Sequence, residues 1–293
     1  MPDYLPFAAG PYRMQMGLRP LDLAEWIEID ADLGAILREK RRLLALRHAE
    51  VFAALASTEE AGEEVLDLLF DHLPRRFPTQ YPRMDATIAL AATGEIIGRR
   101  HPALHPLDAA ARLVPEDLCL MRRSGDAYVL AAAAVCFPSR WRLADKIGRS
   151  VAEIHAPVPG YAAAIAGAVD QFFARVAVER PVWRLNWTIH DTDAPFQPEP
   201  ALARDVPPER FADGLFLRVE RQTLRRLPRS GDVLFTIRTY VRQLGALAPE
   251  AATRLGQALA ALPPELRAYR GLTRFADDLA VWLLARAGAS SAG

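Results

Sequence analysis

The alternation of apolar and polar residues is clearest in the second half of the chain. Within residues 183–190 apolar side chains occupy every second position, which predicts a strand with one buried face. Residues 215–227 and 233–241 alternate in the same way, and the loop PRSGD between them predicts a hairpin. The unbroken apolar run of residues 127–137 predicts a strand that is buried on both faces.

Apolar residues at helical spacing predict helices throughout the rest of the chain. A short strand pair is expected around Thr93-Gly94, within residues 84–97, and residues 99–123 are expected to mix loop with short helix. The proline-rich N-terminus is expected to form an extended arm that packs on the core through Met14, Met16, Leu18 and Trp26. The predicted helices span residues 31–55, about 58–73, 143–154, 161–176 and 249–287, the last broken at Pro263-Pro264.

These elements place the chain in the α+β class, as an antiparallel sheet of about five strands with helices around it. No repeat or low-complexity linker divides the chain, so residues 1–293 are expected to form a single domain. Its expected parts are an N-terminal arm with helices (1–80), a core (81–245) and C-terminal helices (246–293).

The charge balance excludes several classes of partner. The 36 basic and 36 acidic residues cancel, so no net field attracts nucleic acid or an anionic membrane surface. The longest apolar run has 11 residues, short of the ~20 that a bilayer requires. Because no secretory signal is visible and Cys119 and Cys136 are the only cysteines, a cytoplasmic protein is expected. Lys40 and Lys146 are the only lysines, so anion contacts are expected to use arginine.

The sequence lacks the common nucleotide and hydrolase motifs. It contains no GxGxxG after a strand, no GxxxxGK[ST] and no GxSxG, so redox chemistry would need electrons from another protein. His101 and His105 have the spacing of a helical metal site, but proline follows each of them. Structural loop histidines are therefore the preferred interpretation.

Arginines on the predicted strands have two interpretations that spacing alone does not separate. Arg221 shares a strand face with Leu217 and Val219, so that face either emerges into solvent or forms a pocket in which a guanidinium meets an anion. The same alternatives hold for Arg184 and Arg238, which lie on the polar faces of their strands.

His155 is the most interesting histidine of the sequence. It lies between Ile154 and the rigid Pro157-Val158-Pro159, a setting that suits an axial metal ligand. A histidine that is simply hydrogen-bonded within a loop is the alternative, and spacing alone favours that alternative.

Several segments in order resemble the bacterial DUF3445 family, whose characterised member is the haem subunit of a haem-dependent oxidative N-demethylase. The resemblance covers most of residues 12–245. The segments that carry it are MGLRPLDLAEWIEID, LHPLDAAARLVPEDLCLM, VCFPSRWRLADKIGRSVAEIHAPVPGY, RPVWRLNWTIHD and LFLRVERQTLRRLPRSGDVLFTIRTYV.

The resemblance implies a PAS-like fold that binds haem b. It implies dioxygen-dependent removal of a methyl group from a small methylated amine such as dimethylamine, with a primary amine and formaldehyde as products. Electrons would come from a separate reductase subunit with flavin and an iron–sulfur cluster, and a tetrahydrofolate-binding subunit would be a further partner. The alternatives are a non-enzymatic haem sensor of gas or redox state, and a scaffold subunit.

Given haem, the resemblance also implies roles for individual residues. His155 is the first choice for the axial iron ligand and His190 the second. Tyr161 or Glu220 would bind the substrate ammonium, by cation–π attraction or ion pairing respectively. Haem propionates or the distal pocket would be contacted by Arg221 and Arg238, and the pocket would be lined by Asn186, Trp187 and Tyr161.

Overall fold

A computed structural model of the chain describes residues 4–7, 10–200 and 205–289. Its centre is a seven-stranded antiparallel sheet with the order β1-β8-β9-β10-β6-β7-β2, and β3, β4 and β5 form a separate three-stranded sheet. The strands are β1 (Arg19–Pro20), β2 (Phe52–Ala54), β3 (Arg83–Met84), β4 (Thr87–Leu90), β5 (Glu95–Gly98), β6 (Asp117–Ser124), β7 (Ala127–Ala134), β8 (Val182–His190), β9 (Phe216–Arg226) and β10 (Val233–Gln243).

Helices cover both faces of the large sheet. Three of them, α5 to α7, pack on one face, and the N-terminal and C-terminal helices pack on the other. The helices are α1 (Leu33–Leu46), α2 (His48–Val51), α3 (Glu59–Arg76), α4 (Pro106–Ala111), α5 (Val151–His155), α6 (Tyr161–Ala164), α7 (Ala166–Arg175), α8 (Phe211–Gly214), α9 (Pro249–Ala260), α10 (Pro264–Tyr269) and α11 (Ala276–Ala289).

The hairpin predicted from alternation is confirmed and forms the middle of the sheet. Strands β9 and β10 pair without interruption from Arg226 opposite Val233 to Phe216 opposite Gln243. The turn between them contains Gly231 with a φ of 74°, a conformation that glycine adopts without strain. Strand β8 pairs along the other side of β9, which confirms the strand predicted for residues 183–190.

Side-chain alternation divides the large sheet into two faces with different surroundings. On the α5 face, Cys119, Leu224 and Val233 pack in one apolar cluster with Val151 of α5 and Phe173 of α7. On the opposite face, here the N-terminal face, Leu118, Leu120 and Leu234 pack with helices α1 and α3. Helices α9 to α11 cover Leu217, Val219 and Tyr240 on that same face.

Several sequence expectations are corrected. The large sheet has seven strands instead of about five, because the two-residue β1 and three-residue β2 carry no readable alternation. Strand β6 was expected to be loop or short helix, but its first five residues are all buried. The helix expected over 31–55 is split at Arg47 and gives way to β2, and the helix over 161–176 is split at Ile165.

Two further predictions concern the helix expected over residues 143–154 and the loop histidine His105. The segment 143–154 holds only a 3-10 turn, Leu143–Asp145, and most of α5. His105 accepts a hydrogen bond from the Leu107 backbone N–H at 3.1 Å and so caps α4.

Both cysteines are buried and unbridged, and no helix of the described residues is long and apolar enough to cross a membrane.

Candidate functional site

His155 ends helix α5, and within the part of the chain that the structure describes only one of its two ring nitrogens has a hydrogen-bond partner. Helix α5 begins at a capping box in which Ser150 and Glu153 exchange hydrogen bonds, and it ends just before Pro157. The Nδ1 atom of His155 lies 2.8 Å from the carbonyl oxygen of Val151, four residues earlier. A carbonyl oxygen only accepts, so Nδ1 carries the proton and Nε2 presents its lone pair.

Burial and neighbouring cations favour a neutral His155. Burial lowers the pKa of His155, and the charges of Lys146 and Arg184 lower it further. The imidazole ring stacks on Tyr161, with 4.8 Å between ring centroids and an interplanar angle of 13°. A neutral, oriented imidazole with a free Nε2 is the form that ligates a metal.

The α5 face of β8 and β9 carries a group of polar side chains, of which Arg184 acts electrostatically on His155. Arg184 and Asn186 alternate on β8 and pair in register with Gln222 and Glu220 of β9. The buried Glu220 carboxylate accepts hydrogen bonds from Asn186 Nδ2 at 3.4 Å and from Gln222 Nε2 at 3.1 Å. It also forms an ion pair with Arg218 Nε at 3.1 Å. Glu220 is therefore a fixed anion on the side of the sheet that His155 faces.

Arg184 belongs to the same group of residues. Burial lowers the pKa of its guanidinium, while Glu220 and the phenols of Tyr12 and Tyr161 oppose that shift. The site therefore combines a histidine, an aromatic ring, a carboxylate and a guanidinium on one sheet face.

A family model described as haem-dependent oxidative N-demethylase, alpha subunit-like, matches residues 17–280. The chain belongs to this family. Membership in the haem-dependent oxidative N-demethylase, alpha subunit-like family indicates haem dependence and an oxidative reaction. The designation as an alpha subunit indicates a complex with other subunits.

Haem needs one strong axial ligand from the protein, because the porphyrin supplies four nitrogens to the iron. His155 can supply this ligand in a chain of the N-demethylase family. Its Nδ1–H donates to a backbone carbonyl oxygen, and its Nε2 has no hydrogen-bond partner among the described residues. His190 fits less well. Its Nε2 lies 3.2 Å from Ser139 Oγ, and burial together with Arg218 and Arg140 lowers its pKa to about 3.

Arg221 and Arg238 lie on the N-terminal face, away from His155. Arg221 Nε pairs with Glu28 at 3.3 Å, and its other nitrogens donate to the carbonyl oxygens of Glu25 and Trp26. Arg238 contacts both carboxylate oxygens of Asp30 at 3.0 Å. Each buried guanidinium thus has an anionic partner within the chain itself, so its charge is compensated without a haem propionate.

Trp187 is also placed on the N-terminal face, so it does not line the site around His155. Its ring meets Phe7 edge to face at 5.2 Å and lies under the guanidinium of Arg270 at 4.7 Å. The structure therefore brings together five of the residues singled out in the sequence, which are His155, Tyr161, Arg184, Asn186 and Glu220.

Sequence reasoning missed Lys146 and Gln222. Lys146 donates from Nζ to the carbonyl oxygen of Ile154 at 3.2 Å, which places its charge beside His155. Gln222 could have been found from strand register, because it alternates with Glu220 and faces the β8 residue Arg184. Lys146 lies in an irregular segment with no periodicity from which its position could be predicted.

Proposed function

We propose that the chain binds one haem b between helices α5–α6 and the α5 face of the sheet, in a PAS-like arrangement, with His155 Nε2 as the axial ligand. The observation that carries this proposal is the 2.8 Å contact between His155 Nδ1 and the Val151 carbonyl oxygen, which leaves the Nε2 lone pair without a partner among the described residues. The family match supports haem as the group that Nε2 ligates.

The proposed activity is the dioxygen-dependent N-demethylation of a small methylated amine of the dimethylamine kind. Bound haem supplies the activation of dioxygen. For dimethylamine the balanced change is amine, dioxygen, two electrons and two protons giving methylamine, formaldehyde and water. The electrons come from a separate reductase subunit with flavin and an iron–sulfur cluster, and a tetrahydrofolate-binding subunit takes up formaldehyde.

Glu220 is the proposed partner of the substrate ammonium. It is a buried carboxylate, and its two oxygens accept from Arg218, Asn186 and Gln222 while its lone pairs leave room for one further donor. An ammonium N–H donating to a carboxylate is a charge-assisted hydrogen bond. Asn186 and Gln222 then act as positioning residues, because their amide groups fix the carboxylate.

Tyr161 is proposed to position His155. Its ring occupies one side of the imidazole, and burial raises the pKa of its phenol, so the ring is uncharged. A stacked neutral ring limits the rotation of the imidazole about its side-chain bonds and thereby keeps Nε2 aimed in one direction.

The test is a visible absorption spectrum of the purified chain titrated with haem, followed by addition of dimethylamine. We expect a Soret band that saturates at one haem per chain and shifts when dimethylamine is added. Formaldehyde should form when dioxygen and a chemical reductant are supplied. Absence of stoichiometric haem would overturn the proposal and favour a scaffold role. Haem binding without an amine shift and without formaldehyde would favour a sensor.

A further inference from the structure

Lys146 contacts the end of helix α5 that carries His155. Its Nζ donates to the carbonyl oxygen of Ile154 at 3.2 Å, and Ile154 is the residue directly before His155. The lysine comes from outside the helix, since it follows the 3-10 turn Leu143–Asp145. A single peptide unit therefore separates the acceptor of the ammonium from the proposed axial ligand.

The carbonyl groups at the end of α5 find their donors in two ways. Those of Glu153 and His155 accept from backbone N–H groups that follow the helix. That of Ile154 accepts from the Lys146 side chain. The last carbonyl groups of a helix have no partner within it, and a basic side chain at this end stabilises it. Lys146 therefore helps to fix the end of α5 and, with it, the direction of the His155 ring.

The surroundings of Lys146 hold its charge in one place. The ammonium lies over the ring of Trp141, with 5.1 Å between Nζ and the ring centroid. Burial lowers the pKa of Lys146, while the neighbouring Asp145 favours the charged form. Because the side chain is half-buried, solvent and salt screen its charge less than they screen an exposed cation.

The charge of Lys146 is felt at His155. It lowers the pKa of the imidazole more strongly than the charge of Arg184 does. An iron atom ligated by Nε2 lies in the same field. Ferric iron carries one more positive charge than ferrous iron, so a nearby cation disfavours the ferric state.

We propose that Lys146 is a positioning residue that fixes the end of α5 and raises the reduction potential of the haem iron ligated by His155. This inference rests on the proposed function. In the reduction step, ferric iron takes up one electron from the reductase subunit and becomes ferrous. A higher potential makes this electron transfer more favourable.

The experiment measures the reduction potential of the haem-loaded full chain by spectroelectrochemical titration. The variants Lys146→Gln and Lys146→Met, here the neutral variants, remove the charge, and only glutamine keeps an N–H donor. We expect both to shift the equilibrium about tenfold toward ferric iron, a potential lower by ~59 mV for one electron. Lys146→Arg keeps the charge and should keep the potential.

Arg149→Gln is the matched control, because it removes the same charge from the segment that leads into α5. Arg149 is exposed and pairs with Glu153 at 3.7 Å, so its charge is screened by solvent. We expect this variant to change the ferrous-to-ferric equilibrium less than about twofold.

The absorption spectrum of each variant reports haem binding independently of the potential. An unchanged potential in both neutral variants, or an equal shift in Arg149→Gln, would overturn the inference and leave haem binding intact. Loss of haem from both neutral variants, with haem retained by Lys146→Arg, would also overturn it, since Lys146 would then act through the structure of the site alone. An unaltered chain that binds no haem would overturn both the proposed function and this inference.

Discussion

At the scale of single residues, the chemistry of a histidine depends on what its second nitrogen does. His155 donates from Nδ1 to a carbonyl oxygen four residues earlier, a contact that exists only because α5 is helical at that point. His190 is engaged through Nε2 by Ser139 and lies beside two arginines. The carbonyl oxygen of Val151 can only accept, so it fixes the proton of His155 on Nδ1, whereas the Ser139 hydroxyl can donate or accept and leaves the tautomer of His190 open.

His155→Gly should abolish the axial ligation and leave a cavity that imidazole fills. The haem spectrum of this variant should change its ligand field and return toward that of the unaltered chain when imidazole is added, because free imidazole supplies the same nitrogen. His190→Gly is the control and should keep the original spectrum. The reverse pattern, with loss in the His190 variant alone, would make His190 the ligand.

Glu116 is a buried carboxyl whose protonation is linked to folding. Burial raises its pKa from 4.5 to about 7, although Arg238, Lys40 and the backbone N–H of Glu28 oppose the shift. Tyr81 and Tyr240 also face it. Because folding raises the pKa of Glu116, this carboxyl contributes fully to the free energy of unfolding below pH 4.5. That contribution is lost as the pH rises to about 7.

Glu116→Gln keeps an oxygen for the Glu28 N–H and removes the titration. Between pH 4.5 and 8 the unaltered chain should lose roughly 3 kcal/mol of unfolding free energy relative to this variant, measured by urea unfolding. Glu250→Gln, at an exposed glutamate, is the control and should track the unaltered chain. A constant difference between the Glu116 variant and the unaltered chain would contradict the raised pKa.

At the scale of elements, two buried arginines of the sheet bind the N-terminal segment that precedes α1. Arg221 and Arg238 of neighbouring strands bind residues 25–30, and Tyr240 donates to Glu28 at 2.6 Å. The segment that leads into α1 is thereby joined to the central hairpin, about 200 positions later in the sequence.

Asp30→Asn should weaken this attachment, because the amide cannot offer two charged oxygens to Arg238. We expect a loss of roughly 1.5–3 kcal/mol in unfolding free energy, together with faster proteolysis within residues 19–32. Asp205→Asn is the control, because its pair with Arg274 is exposed and should contribute within about 1 kcal/mol. Equal effects of the two substitutions would show that burial of the Arg238 pair adds nothing.

The contact between α9 and α11 depends on a glycine. A Cβ atom added at Gly256 would lie 3.0 Å from Leu284 Cγ and 3.1 Å from the Ala280 carbonyl oxygen. A Cβ atom at Gly167, also helical, would meet nothing within 4 Å. The two glycines differ in their surroundings and resemble each other in backbone conformation.

Gly256→Ala should therefore lower the melting temperature, because the backbone oxygen of Ala280 resists displacement even though alanine favours the helix. Gly167→Ala should raise the unfolding free energy by up to about 1 kcal/mol through helix propensity alone. If both substitutions stabilise the chain, the two C-terminal helices have room to separate, and the close approach at Gly256 is not required.

At the scale of the whole molecule, the elements that could be predicted are those with local signals. The central hairpin and β8 follow from alternation and from the turn at Gly231. Strand β6 was missed because its buried stretch is short and follows a segment rich in proline and histidine. The short edge strands β1 and β2 are defined by their pairing with β8 and β7, so no pattern within their two or three residues predicts them.

The candidate site could be predicted only in part, for a related reason. The family resemblance indicated Asn186 and Glu220 separately, and only the strand pairing places them opposite each other on one sheet face. Alternation does not tell which layer covers a sheet face, so the pairs of Arg221 with Glu28 and of Arg238 with Asp30 could not be predicted from it. Those partners lie in a segment whose path is determined by tertiary contacts alone.

Haem binding should make helices α5 and α6 more ordered and leave the helices on the N-terminal face unchanged. Helices α5 and α6 are short and contact the sheet through a few apolar residues, so the proposed ligand would add contacts there. In hydrogen exchange, residues 150–165 should become more protected when haem is added, while α9 and α11 serve as the unaffected control. Protection confined to the N-terminal face would contradict a site at His155.

Primary amines are nearly absent from the accessible side chains of this protein. Lys40 is fully buried, with its ammonium donating to the carbonyl oxygens of Val114 and Glu116, and Lys146 is half-buried and donates to Ile154. Aldehydes crosslink proteins first through lysine amines. The proposed reaction releases formaldehyde. Because the cations on the surface are almost all guanidinium groups, formaldehyde finds few lysine amines through which it could crosslink and inactivate the protein that forms it.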